Sequence, residues 1–91
     1  MLYRLSDNFV IRNILDECIV VPNKSKNDGE QGFFALNPTG KIIINSINEG
    51  KETEDIAAEI CNAFEIDFDS AIADIEEFIS EFKDMGIIQE L

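Results

Sequence analysis

The first clear apolar run, Phe9-Val10-Ile11-Arg12-Asn13-Ile14-Leu15, is rich in β-branched and aromatic residues and predicts a strand. Asp16-Glu17 marks a turn, and Cys18-Ile19-Val20-Val21 forms a second strand that Pro22 stops. Residues 23–31 are polar throughout and contain Asp28-Gly29, a strong hairpin signal in a loop longer than two residues. Gly32-Phe33-Phe34-Ala35-Leu36 is the third strand. Alternation turns Phe34 and Leu36 toward the core, with Phe33 and Ala35 on the other face. Three neighbouring runs joined in sequence predict an antiparallel meander.

The apolar period then changes from two to that of a helix. Asn37-Pro38 pairs an N-cap residue with proline at the first helical position, and Ile43, Ile44 and Ile47 share one face before Gly50 closes the turn in the left-handed region. Thr53 is the expected cap of a second helix, with Glu54 and Asp55 in its first turn, where the helix dipole favours negative charge. Its stripe is Ile56, Ala57, Ile60, Cys61 and Phe64. Asp67 or Asp69 opens a third helix with a stripe through Ile72, Ile75, Phe78, Ile79, Phe82 and Met85. Asp74, Glu76, Glu77, Ser80, Glu81 and Asp84 lie largely outside that stripe, and Gly86 closes the helix. Residues 87–91 can form a short tail strand.

Strands first and helices afterwards predict an α+β domain, a three-stranded antiparallel sheet followed by three helices in a winged-helix-like arrangement. The 91 residues make one domain, able to bury roughly 60 to 70 % of the unfolded chain's surface. No apolar run is long enough to span a bilayer, and the N-terminus lacks the pattern of a signal peptide, so a cytoplasmic location is expected. Nineteen acidic residues against seven basic ones give a net charge of -12. Such a chain repels phosphate backbones and anionic membranes, so neither nucleic acid nor membrane is an expected partner.

Histidine is absent, which removes the commonest general base and the commonest transition-metal ligand. Cys18 and Cys61 lie far apart among apolar residues and read as reduced core thiols. Asp67-Phe68-Asp69-Ser70 does not make an EF-hand loop, because Ala71 and Ile72 fall at ligand and glycine positions. The same segment could suggest a carrier-protein attachment serine at Ser70, but carrier proteins resemble all-helical bundles, whereas this chain opens with strands. Helix capping explains it. The carboxylates at Glu76-Glu77, Glu81 and Asp84 read as a solvated helix face rather than a catalytic pair. No catalytic residue, metal site or cofactor is therefore expected, and the chain reads as a binding module.

Leu36-Asn37-Pro38-Thr39-Gly40, directly after the Phe33-Phe34 strand, resembles the coenzyme PQQ synthesis protein D (PqqD) family. Tyr3-Arg4-Leu5-Ser6-Asp7 resembles the family's opening, and Asp74-Ile75, Phe78-Ile79 and Met85-Gly86-Ile87-Ile88 resemble its last helix and exit. Two features depart from the pattern. Ile44 stands where the family often has Trp, and the loop at residues 23–31 is long. The resemblance implies recognition of the leader segment of a ribosomally made precursor peptide and its delivery to a modifying enzyme, often a radical S-adenosylmethionine enzyme. It also implies that the leader adds as a strand beside the third strand, over the third helix. An edge strand offers unpaired backbone groups suited to this. The expected peptide-binding residues are Gly32, Phe33, Phe34, Ala35 and Leu36 on the edge, with Ile72, Ile75, Ile79 and Phe82 from the third helix. An exposed edge can also pair with its own copy, which admits a homodimer. The competing reading is an acidic winged-helix interaction or regulatory module that binds no leader. Residues 69–85 carry only Lys83 as a positive charge, which disfavours DNA recognition.

Overall fold

A computed structural model describes residues 2–23 and 34–91 of the chain. The elements follow in the order β1 (Tyr3–Leu5), β2 (Phe9–Ile14), β3 (Glu17–Pro22), β4 (Phe34–Leu36), α1 (Pro38–Asn48), α2 (Thr53–Phe64), α3 (Phe68–Asp84) and β5 (Ile88–Glu90). The expected meander is present: β2, β3 and β4 form an antiparallel sheet in that order. Gly32, Phe33 and the Asp28-Gly29 signal lie outside the described residues.

The β2–β3 turn is one residue earlier than the sequence suggested. Ile14 pairs with Glu17, so the turn residues are Leu15 and Asp16. Leu15 takes φ 55° and is 95 % exposed. An apolar residue at a hairpin tip extends the hydrophobic pattern beyond the strand, which is why the run read one residue too long.

A second sheet ties the chain ends together. β1 and β5 pair antiparallel, with Tyr3 opposite Glu90 and Leu5 opposite Ile88. The Leu91 N–H donates to the Leu2 carbonyl at 3.1 Å, and the Ser6 N–H donates to the Ile87 carbonyl at 2.7 Å. The tail strand was expected, but its partner was not. Three residues are too few for periodicity to signal a strand.

Helix ends follow local chemistry. The Asn37 side-chain oxygen accepts from the Gly40 N–H at 2.7 Å and caps α1, while Gly50 takes φ 82° just past its end. Asp67 caps α3, accepting from the Ser70 N–H at 3.1 Å and the Ser70 hydroxyl at 2.7 Å. The expected cap of α2 is corrected: Glu52 holds the N-cap position, and Thr53 is the first helical residue. A helix can start from any residue with extended backbone dihedrals, so a Thr-Glu-Asp run fixes the start only to within a position. Glu65 ends α2 in the left-handed conformation at φ 55°.

The core joins the sheet to all three helices. Cys18 and Val20 from β3 meet Ile43, Ile44 and Ile47 of α1, Ile56, Ala57 and Ile60 of α2, and Ala71, Ile75, Ile79 and Phe82 of α3. Ile44, where the resembled family often carries Trp, is completely buried. Two stripe ends differ from expectation: Phe64 and Met85 are exposed at the last turns of their helices, beyond the reach of the core. Ser46 is the buried polar residue of α1, and its hydroxyl donates to Glu59 of α2 at 3.0 Å. Both cysteines are free, Cys18 buried and Cys61 half-buried. No described helix is long and apolar enough to cross a membrane.

Candidate peptide-binding groove

β4 lies at one end of the sheet order, so one of its edges has no strand partner among the described residues. Its other edge pairs Leu36 with Cys18, Ala35 with Ile19 and Phe34 with Val20. Residues paired across an antiparallel ladder share a face, which places Leu36 on the face of buried Cys18. Leu36 is accordingly half-buried against the core, and Ala35 is exposed on the opposite face.

Directly after β4 the chain enters α1, and here α3 comes close. A Cβ added at Gly40 would lie 3.2 Å from a ring carbon of Phe78, 3.1 Å from Asn37 Oδ1 and 3.4 Å from Leu36 Cβ. Glycine at this position therefore lets the Phe78 ring reach the start of α1. The result is a cleft of about 270 Å³ between the first turns of α1 and the middle of α3. It is lined by Asn37, Thr39, Gly40, Ile43, Asp74, Glu77, Phe78 and Glu81. Phe78 stacks on Phe82 with ring centroids 4.0 Å apart and planes 18° apart, so the ring is braced from below.

The four α3 residues expected to line a groove separate into two groups. Ile75 is 0 % exposed and belongs wholly to the core, so the free chain offers no Ile75 surface to a peptide. Ile79 and Phe82 are also buried, with 5 % and 7 % exposure. Ile72 is half-buried and, with Ile79, lines a different cleft of about 460 Å³. That cleft lies against Tyr3 of β1 and Thr53 and Glu54 of α2, on the side of α3 away from α1. The helix thus presents its central apolar line inward, and the flanking positions face two separate clefts. The α3 residues beside β4's end are Asp74, Glu77, Phe78 and Glu81. Phe78 belonged to the recognised stripe. The three acidic residues read as solvent-facing, and only the angular spread around a 3.6-residue turn, set against α1's position, could have placed them here.

Electrostatics reinforce the division between clefts. Lys83 sits among Glu54, Glu76 and Asp84 in the larger cleft and also reaches Glu90 at 3.4 Å. The smaller cleft has no Lys or Arg in its lining. Burial pushes the Cys18 thiol up from its usual range, against the opposing pull of Lys41 and Asn45, so it stays protonated beneath the sheet. Among the described residues, no group of three His, Cys, Asp or Glu side chains is placed to hold a metal.

The family model for coenzyme PQQ synthesis protein D (PqqD) matches residues 17–88. No curated protein matches the chain. Two solved structures share its fold. One is TbiB1 in complex with the TbiA(beta) leader peptide, 23 % identical, covering 97 % of this chain and 96 % of that one with a TM-score of 0.81. The other is a lasso peptide synthetase B1 complexed with the leader peptide, 20 % identical, covering 99 % and 100 % of the two chains with a TM-score of 0.81.

Proposed function

The chain belongs to the coenzyme PQQ synthesis protein D (PqqD) family, and on that premise we propose that it binds the leader segment of a ribosomally synthesised precursor peptide and delivers it to a modifying enzyme. The observation that carries this reading is the open edge of β4, which ends at the cleft between α1 and α3, in a fold shared with two proteins solved with leader peptides. An extended peptide pairs its backbone with Phe34, Ala35 and Leu36, and side-chain contacts choose which peptide is held. Phe78 is the apolar contact in the cleft at the end of β4, with Phe82 stacked on it from the core.

In this reading the chain contributes recognition and the partner enzyme contributes chemistry, a radical S-adenosylmethionine enzyme being one class of partner. The competing regulatory reading needs a basic helix for nucleic acid, and the single basic residue of α3, Lys83, is engaged with Glu90.

Fluorescence polarisation tests the proposal directly. The probe is a labelled synthetic leader from the precursor encoded beside this protein. The expected dissociation constant is micromolar or tighter, about -8 kcal/mol or better. Absence of binding, both to the chain alone and with the neighbouring modifying enzyme added, overturns it.

A further inference from the structure

We infer that the cleft at the end of β4 selects a Lys or Arg in the leader, at the residue flanking the segment that pairs with β4. The inference rests on the leader-binding reading and adds the chemistry of what is recognised. The cleft has an apolar floor of Gly40, Ile43 and Phe78 and a rim of Asp74, Glu77 and Glu81. The three carboxylates recur at helical spacing along one side of α3 and so converge on one opening. Among the described residues no Lys or Arg pairs with them. Arg4 is held by Asp7, Lys51 by Glu49 and Glu59, and Lys83 by Glu90. Of the other two described cations, Arg12 stands on β2, and Lys41 lies within electrostatic reach of Cys18 in β3.

The larger cleft shows the contrast. It carries its own cation, Lys83, among its carboxylates, so its charge is partly met from within. The smaller cleft is one-sided. A long cationic side chain fits both of its parts, with the alkyl stem on the Phe78 ring and the charged head at the rim. An acidic leader residue at that position meets three like charges and is rejected. Chain continuity supplies the route, because Asn37, at the cleft's edge, follows Leu36 at the end of β4. A peptide paired with β4 therefore carries its next residue into the cleft.

The test compares two triple variants that change net charge equally. Asp74→Asn/Glu77→Gln/Glu81→Gln neutralises the smaller cleft, and Glu54→Gln/Glu76→Gln/Asp84→Asn neutralises the larger one. Each is titrated with the labelled synthetic leader described above. The first should bind about five- to tenfold more weakly, the scale of a few partly exposed ion pairs, and lose salt sensitivity. The second should stay within about twofold. In parallel, each leader Lys or Arg is replaced by Gln and titrated against the unaltered chain, which keeps the test decisive if a variant fails to fold. One such replacement should reproduce the loss. Equal effects from both triples, no effect from the first, or a leader whose Lys and Arg can all be replaced without loss overturns the inference and leaves leader binding standing. A wild-type chain that binds no leader overturns the reading beneath it, and the inference with it.

Discussion

Leu15 and Glu65 both hold φ 55° without being glycine, a conformation that crowds Cβ against the backbone. Leu15 is almost wholly exposed, so its side chain offers little packing to offset that cost. Leu15→Gly should therefore raise stability by about 1 kcal/mol in urea denaturation, and a loss would show that the Leu15 side chain has a stabilising partner. Asp67 illustrates a charged cap. Hydrogen bonds from Ser70 hold its carboxyl below the usual carboxylate range. A group whose pKa is lower folded than unfolded stabilises the fold above its unfolded value and loses that contribution as pH falls through its folded value. Asp67→Asn keeps an acceptor at the cap but no longer titrates. Its thermal midpoint should fall less than that of the parent between about pH 6 and pH 3, and parallel curves would show that Asp67 adds nothing to the acid sensitivity.

Among the elements, α3 does two jobs with different residues. Ile75, Ile79 and Phe82 anchor it in the core, whereas Phe78 and the acidic positions face the cleft beside β4. Ile75→Glu should cost about 3 kcal/mol or more and remove cooperative unfolding, because it buries a charge without a partner. Phe78→Ala should keep the circular dichroism spectrum and weaken leader binding about fivefold, since the ring is half-buried and close to the edge strand. Reversed outcomes would mean that the core and groove assignments are exchanged. The stripe on α3 was legible because its period is strong. Which flank of the stripe meets β4 was not legible, because that depends on how α1 is placed, and α1 is placed by Gly40 admitting the Phe78 ring. The asparagine caps and glycine closures were readable one residue at a time. The α2 start and the hairpin tip slipped by a residue where two neighbouring positions could serve equally.

At the scale of the whole molecule, strands preceding helices were enough to give the architecture, since three β-rich runs and three amphipathic segments have few ways to share one core. The β1–β5 pairing joins the two ends of the chain and could not be read from either three-residue segment alone. Charge acts globally as well. A net charge of -12 repels anionic partners and steers a basic peptide inward, while the one-sided cleft at the end of β4 gives that attraction a location. Strand addition leaves a signature that other binding modes do not. Hydrogen exchange, followed residue by residue by NMR with and without the leader peptide, reads it directly. Exchangeable edge amides of Phe34–Leu36 should become protected, together with cross-strand contacts from the peptide backbone. Protection confined to the cleft between β1, α2 and α3, with the β4 amides exchanging as before, would contradict it.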